Sequence, residues 1–209
     1  MANIFDYLKW RGDLTFSQDP PNAVDALVFS GLSYIRFVSG AGREILSLRE
    51  ASEDFFAQEN YEEGCRIQKD LDLLRAAVET RRFGELDMTM YRDQLIPEQE
   101  TQFAAVTFLL DDGSMFLAFR GTDNSLVGWK EDFNMTFQQT IPAQRLALQY
   151  TREVALEHLR PMRLGGHSKG GNLAVFAAAR SSPMIQEQIL EVFNHDGPGF
   201  TQYLMGDPG

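Results

Sequence analysis

The chain has 209 residues, 44% of them hydrophobic and 23% charged, with a formal net charge of −11. This length and composition give one globular domain with a sizeable core and exclude a disordered chain. The acidic balance argues against nucleic-acid binding and against docking on anionic lipid by general attraction, while leaving open a lipid bound through an apolar patch.

In chain order, the N-terminus Met1-Ala2-Asn3-Ile4-Phe5-Asp6 carries no basic segment followed by an apolar run. No stretch approaches roughly 18 uninterrupted apolar residues, so no transmembrane helix is expected and a cytoplasmic protein is the reading. Residues 1–100 read as a mostly helical region packed on the core. After Pro20-Pro21, the run Asn22–Ile35 places Val24, Leu27, Val28, Leu32 and Ile35 on one helical face. Ser47–Glu59 and Cys65–Arg81 are further amphipathic candidates, the second with Ile67, Leu71, Leu74 and Val78 at helical spacing. The single cysteine, Cys65, excludes an internal disulfide and fits a reducing compartment. Its neighbours Glu62, Glu63 and Lys69 supply no convincing activating cation.

The pattern changes at Gln102. Phe103–Leu110, the turn Asp111-Asp112-Gly113-Ser114 and Met115–Arg120 predict strand, hairpin turn, strand. A loop and short helix follow through Trp129 and Phe133. Pro142 opens a long helix ending near Leu159, with Leu146, Tyr150 and Val154 stacked four apart. Another strand covers Ile189–Asn194 and ends in Asp196-Gly197-Pro198-Gly199-Phe200. Strands alternating with helices from residue 101 onward predict an α/β fold, with a mainly parallel sheet and helices on its faces. Residues 1–100 and 101–209 are expected to make one structural domain.

Between the long helix and the last strand lies Met162–Asn172, read as a short strand, a glycine-flanked turn with one serine at its tip, and an alanine-rich helix. Gly166-x-Ser168-x-Gly170 fits a nucleophile elbow. Strand and helix pass so close there that only glycine fits beside the serine. The Lys169 N–H then lies at a helix N-terminus, where it can stabilise an oxyanion. The plainer alternative is a structural turn. A second oxyanion donor is expected from the loop after an earlier strand, and Thr122 in Phe119-Arg120-Gly121-Thr122-Asp123 is the candidate; otherwise it is only a helix cap. Arg120, Gly121, Trp129 and Asp132 are read as scaffold for that loop, with Arg120 and Asp132 as an ion pair.

These runs resemble the class 3 lipase family in order and spacing. More closely, the chain resembles the Mbeg1-like family. That likeness is carried by Tyr7–Asp13, Phe119–Asp123, Gly128–Met135, Gly165–Asn172 and Asp196–Phe200, and extends over essentially the whole chain. The resemblance implies an α/β-hydrolase fold and a lipase- or esterase-like activity on an ester or lipid. Lys169 departs from the lipases, which usually carry leucine there. Its cation beside the nucleophile either favours an anionic substrate or leaving group, or is simply exposed.

A serine nucleophile needs a base. The chain has three histidines. His158 reads as a cap or surface residue and His167 as elbow packing. His195, at the end of the last strand, is either a base or a strand-end loop residue. By the resemblance, Asp196 matches a site-lining or turn residue better than a triad acid. Few residues follow Ser168, so a truncated family member is expected, with acid and base outside the chain. No metal-ligand spacing, phosphate loop or cofactor motif is seen. The leading reading is a serine ester hydrolase. The alternatives are a non-catalytic binding protein that keeps the hydrolase scaffold, and an anion site at the elbow helix N-terminus without chemistry. Substrate and oligomeric state are left open.

Overall fold

The computed structural model describes residues 2–37, 45–123, 125–135 and 137–200, with the side chains of Gln99 and Asp132 left out. Helices α1 (Ile4–Arg11) and α2 (Ala23–Leu32) come first, followed by strand β1 (Ile45–Ser47), α3 (Leu48–Phe56) and α4 (Gln68–Val78). Then come β2 (Asp87–Ile96), β3 (Thr101–Leu109), β4 (Met115–Phe119) and α5 (Leu126–Asn134). The chain continues through α6 (Pro142–His158), β5 (Met162–His167), α7 (Lys169–Arg180), the short α8 (Pro183–Gln186) and β6 (Ile189–His195). The strands form one six-stranded sheet in sequence order. Pairs β1–β2, β2–β3 and β3–β4 are antiparallel, while β4–β5 and β5–β6 are parallel. The sheet is thus mixed overall and parallel where the serine turn sits.

Helices cover both faces. On one, α1 to α4 pack against Phe108, Phe116 and Ala118. On the other, α6 and α7 pack against Phe103, Leu117, Phe119 and Leu164. Much of the chain's phenylalanine sits in the first core. The Phe29 ring lies 4.6 Å from that of Phe116, 4.8 Å from Phe108 and 5.2 Å from Phe83. Such ring pairs stabilise beyond their buried area.

The N-terminal helices are fixed by local chemistry. Asn3, Asn22 and Ser47 cap α1, α2 and α3, each in a capping box closed by Asp6, Asp25 and Glu50. Asp25 does double duty, because the buried Arg82 guanidinium forks onto its carboxylate at 2.8 and 2.6 Å. Tyr7 Oη donates to Asp25 Oδ1 at 2.8 Å. Burial, partly offset by Asn22 and reinforced by Asp25, pushes the Tyr7 hydroxyl up to about 12.

Most predicted elements appear within a few residues of their expected ends. Two differences have clear causes. The helical reading of residues 1–100 missed β1 and the ten-residue β2. Asp87–Ile96 is half polar and broken by an irregularity between Thr89 and Arg92, with Met90 at φ 52°, so strict alternation is lost. The predicted apolar face of α2 is met in part. Val28, Leu32 and Ile35 are buried as expected, Ala26 and Phe29 join them, and Val24 and Leu27 are exposed.

Candidate active site

β5 runs into a sharp turn at Ser168, whose φ of 56° and ψ of −130° lie where non-glycine residues are strained. The strain is held by close packing. A Cβ on Gly166 would lie 2.5 Å from Gly170 O and 2.6 Å from Phe119 O, and one on Gly170 would overlap Phe119 O outright. Glycine is therefore required on both sides of the serine. Ser168 N–H donates to the His195 carbonyl at 2.9 Å, which ties the turn to the end of β6. The Lys169 N–H begins α7, in the first turn whose N–H groups have no intrahelical acceptor.

The loop after β4 reaches the same point. Phe119 pairs with Gly166 in the parallel register, and a Cβ on Gly121 would lie 2.5 Å from His167 O. Thr122, the next residue, is half-buried beside the turn. Structure thus brings Thr122, Lys169 and Ser168 to one edge of the sheet. Arg120, buried, pairs with Asp93 on β2; its expected partner Asp132 has a side chain outside the described residues. Trp129 projects outward and is 65% exposed. With Leu126, Phe133 and Phe137 it forms an exposed apolar ridge along and just beyond α5, the Phe133 and Phe137 rings lying 4.8 Å apart.

The Lys169 ammonium is neither exposed nor beside the nucleophile. Its Nζ is buried and donates to Glu131 Oε2 at 2.6 Å, Gln102 Oε1 at 2.9 Å and the Gln102 carbonyl at 2.8 Å. Glu131 also accepts the Ala143 and Gln102 N–H groups. Both expectations for this side chain are corrected, and with them any anion site built on the Lys169 charge. The ammonium clamps α5 and β3 to the elbow helix, a use that the run Lys169-Gly170-Gly171 does not reveal.

The three histidines take different places in the fold. His167 turns toward the segment that follows α2, where Tyr34 Oη lies 3.0 Å from its Nδ1. Burial, then the positive charge of Arg66, lowers its pKa. His195 pairs with His167 in the β5–β6 register, and its ring stacks on Phe193. Burial lowers its pKa too, and its Nε2 has no hydrogen-bond partner among the described residues. His158 ends α6. Among the described residues no imidazole bonds to Ser168 Oγ. Asp196 is exposed in a turn at φ 57°, as a turn residue would be.

Sequence reasoning missed Asn172, whose Nδ2 donates to Pro198 O at 3.0 Å and whose Oδ1 accepts from Gln144 at 2.8 Å. Those bonds strap the Asp196–Phe200 loop and α6 to the elbow helix. Its position at the end of the Gly165–Asn172 run was the available signal. Glu131 offered the same signal from within the Gly128–Met135 run, whereas Tyr34, Asp93 and Gln102 carried none, since their role depends on long-range packing. No group of His, Cys, Asp and Glu among the described residues could hold a metal ion. No helix among them is long and apolar enough to cross a membrane.

A family model described as Mbeg1-like matches residues 77–209. No curated protein matches the chain. Among solved structures, one titled "Crystal structure of M37 lipase" is similar at a TM-score of 0.40 and 16% identity, covering 83% of this chain. The chain spans 58% of the length of that lipase.

Proposed function

The chain belongs to the Mbeg1-like family, and we propose that it is a serine hydrolase that cleaves an acyl ester. One observation carries this reading: Ser168 is held at φ 56° between two glycines whose replacement the backbone forbids, at the N-terminus of a twelve-residue helix. Its ψ of −130° sets Ser168 apart from Glu100 and Leu159, whose positive φ is paired with ψ 40° in the ordinary left-handed region, and strain of this kind clusters at functional sites. In the proposed reaction Ser168 Oγ attacks the ester carbonyl, and the Lys169 N–H and Thr122 receive the oxyanion. The alcohol leaves on collapse of the tetrahedral intermediate, and water then releases the acyl group. Proton transfer needs a base within hydrogen-bond reach of Oγ. Among the described residues no imidazole bonds to Oγ, and the reading takes the base from outside them or, as the weaker choice, from His195, whose carbonyl accepts the Ser168 N–H. The apolar ridge of Leu126, Trp129 and Phe133 favours an ester with an apolar acyl chain.

A fluorophosphonate probe tests the reading. Labelling of Ser168, lost in Ser168→Ala, is expected, and a folded protein that fails to label overturns it. Among the described residues no imidazole bonds to Ser168 Oγ, and beside the hydrolase reading stands a second one, a non-catalytic binding protein on the same scaffold. That reading predicts no labelling.

A further inference from the structure

We infer that a groove between α6 and the α7–α8 corner binds a single-chain anionic amphiphile, a carboxylate with a long apolar tail. The groove has a volume of about 500 Å³, within the range of sites that hold molecules of that size. Arg145, Leu148, Arg152 and Leu156 line it from α6, and Arg180 and Met184 line it from the other side. It is separate from the elbow, because Arg180 ends α7, about 18 Å of helix from Ser168.

A surface helix needs one apolar stripe, and on α6 Ala143, Ala147, Tyr150 and Val154 supply it against the sheet. Leu148 and Leu156 make a second apolar row on the outside, with Arg145 and Arg152 beside it. Leu156 and Met184 remain 50% and 59% exposed. Charge marks the ligand as an anion. The chain carries a net charge of −11, yet no acid lines the groove. Neither Arg145 nor Arg152 has an acid three or four residues away on α6, where a helical ion pair would form. Among the described residues neither makes a hydrogen bond or ion pair. Glu153 is taken by Arg92 and Gln149. Arg11, Arg36, Arg49 and Arg75, also at the surface, each hold an acid.

The two walls place the head group. Helices α6 and α7 each connect parallel strands, so they run in the same direction away from the elbow edge. Gln144 bonds to Asn172 and sets the two helices level. Arg152 and Arg180 follow eight residues further along each helix, so they flank the groove at one height. An anion between them meets guanidinium donors, and its tail runs over Leu156 and Met184. That the anion is a carboxylate rests on the hydrolase reading, whose acyl product has this form; the cationic, apolar groove does not depend on it.

The test is calorimetric titration of monomeric decanoate into the whole protein, with 1-decanol and decyl phosphate as comparisons. Decanoate is expected to bind, and Arg152→Gln to weaken it about tenfold through loss of a charge-assisted contact. Leu156→Ser, which keeps every charge, should weaken it about threefold. Both positions are exposed, so both variants should fold. No decanoate binding, binding unchanged in both variants, or decanol binding as tightly as decanoate overturns the proposal. So does decyl phosphate binding where decanoate does not. A dimer lost in Arg152→Gln would assign the groove to a second copy, and Arg152-dependent sedimentation with phosphatidylglycerol vesicles would assign it to a membrane; either result without decanoate binding overturns it. Failure of fluorophosphonate labelling while decanoate binds removes only the hydrolase reading.

Discussion

Lys169 Nζ lies 2.6 Å from Glu131 Oε2 with both side chains buried, so the residue after the elbow serine is anchored by a cation 38 positions from its partner. The pair joins α5, α7 and β3 at the site. Removing one member leaves a buried charge without its counter-ion, which costs about 3–5 kcal/mol. Lys169→Met or Glu131→Leu is therefore expected to lower unfolding free energy by that amount in urea titrations. The double variant should lose less than either single one, because apolar pairs of similar volume are often neutral replacements. Additive losses would show that the two side chains do not act as a pair.

Ser168 sits at φ 56° and ψ −130°, a conformation that glycine adopts without penalty. Strain of this kind costs about 1–3 kcal/mol, and glycine returns up to about 1 kcal/mol of that as chain entropy. Ser168→Gly should raise stability by about 1 kcal/mol while abolishing fluorophosphonate labelling. Equal or lower stability would mean that the serine side chain makes a compensating contact.

How much of this was legible in the sequence depends on range. The elbow was legible because Gly166, Ser168 and Gly170 lie within five residues in a pattern that can be read locally, even though Phe119 O on β4 supplies part of the crowding that requires the glycines. The β3–β4 hairpin was legible for the same reason, since Gly113 at φ 85° makes its turn. The partner of Arg120 was not legible: Asp93 lies on β2, a strand whose broken alternation hid it. Lys169 misled because a lysine next to a serine is ordinarily on the surface, and only the fold shows Glu131 and Gln102 closing over it. The unforeseen burial of Phe29 on α2 has the same origin, because β4 presents Phe116 to its ring.

Gly170 offers a sharp steric test. A Cβ there would overlap Phe119 O and come within 3.1 Å of Arg120 C, both backbone, so nothing flexible can yield. Gly170→Ala is expected to cost about 3 kcal/mol, the upper part of the usual range for overpacking. Gly199, with nothing within 4 Å of its would-be Cβ, is the control. Gly199→Ala should stay within about 0.5 kcal/mol. A small loss at Gly170 would show that β4 and α7 can move apart, and with them Thr122 and the Lys169 N–H, the donors proposed for the oxyanion.

Stability should fall as pH drops from about 7.5 to 5.5, and the histidines set the sign. An unfolded histidine titrates near 6.5, whereas burial lowers the folded pKa of both His167 and His195. Below about 6.5 the unfolded chain therefore binds protons that the folded one refuses, and unfolding is favoured until pH falls through the lowered folded values. The two rings are register neighbours, so a proton on one also opposes a proton on the other, and Arg66 opposes a proton on His167. Asp196 and Asp70 act the other way on His167, as weaker contributions. Asp70 itself, raised by burial, contributes the opposite sign to the stability curve. Comparing wild type with the His167→Gln, His195→Gln double variant isolates the histidines. The variant's unfolding midpoint should be nearly flat over this window while that of wild type declines. Parallel curves would mean that both imidazoles titrate in the folded protein as they do in the unfolded chain.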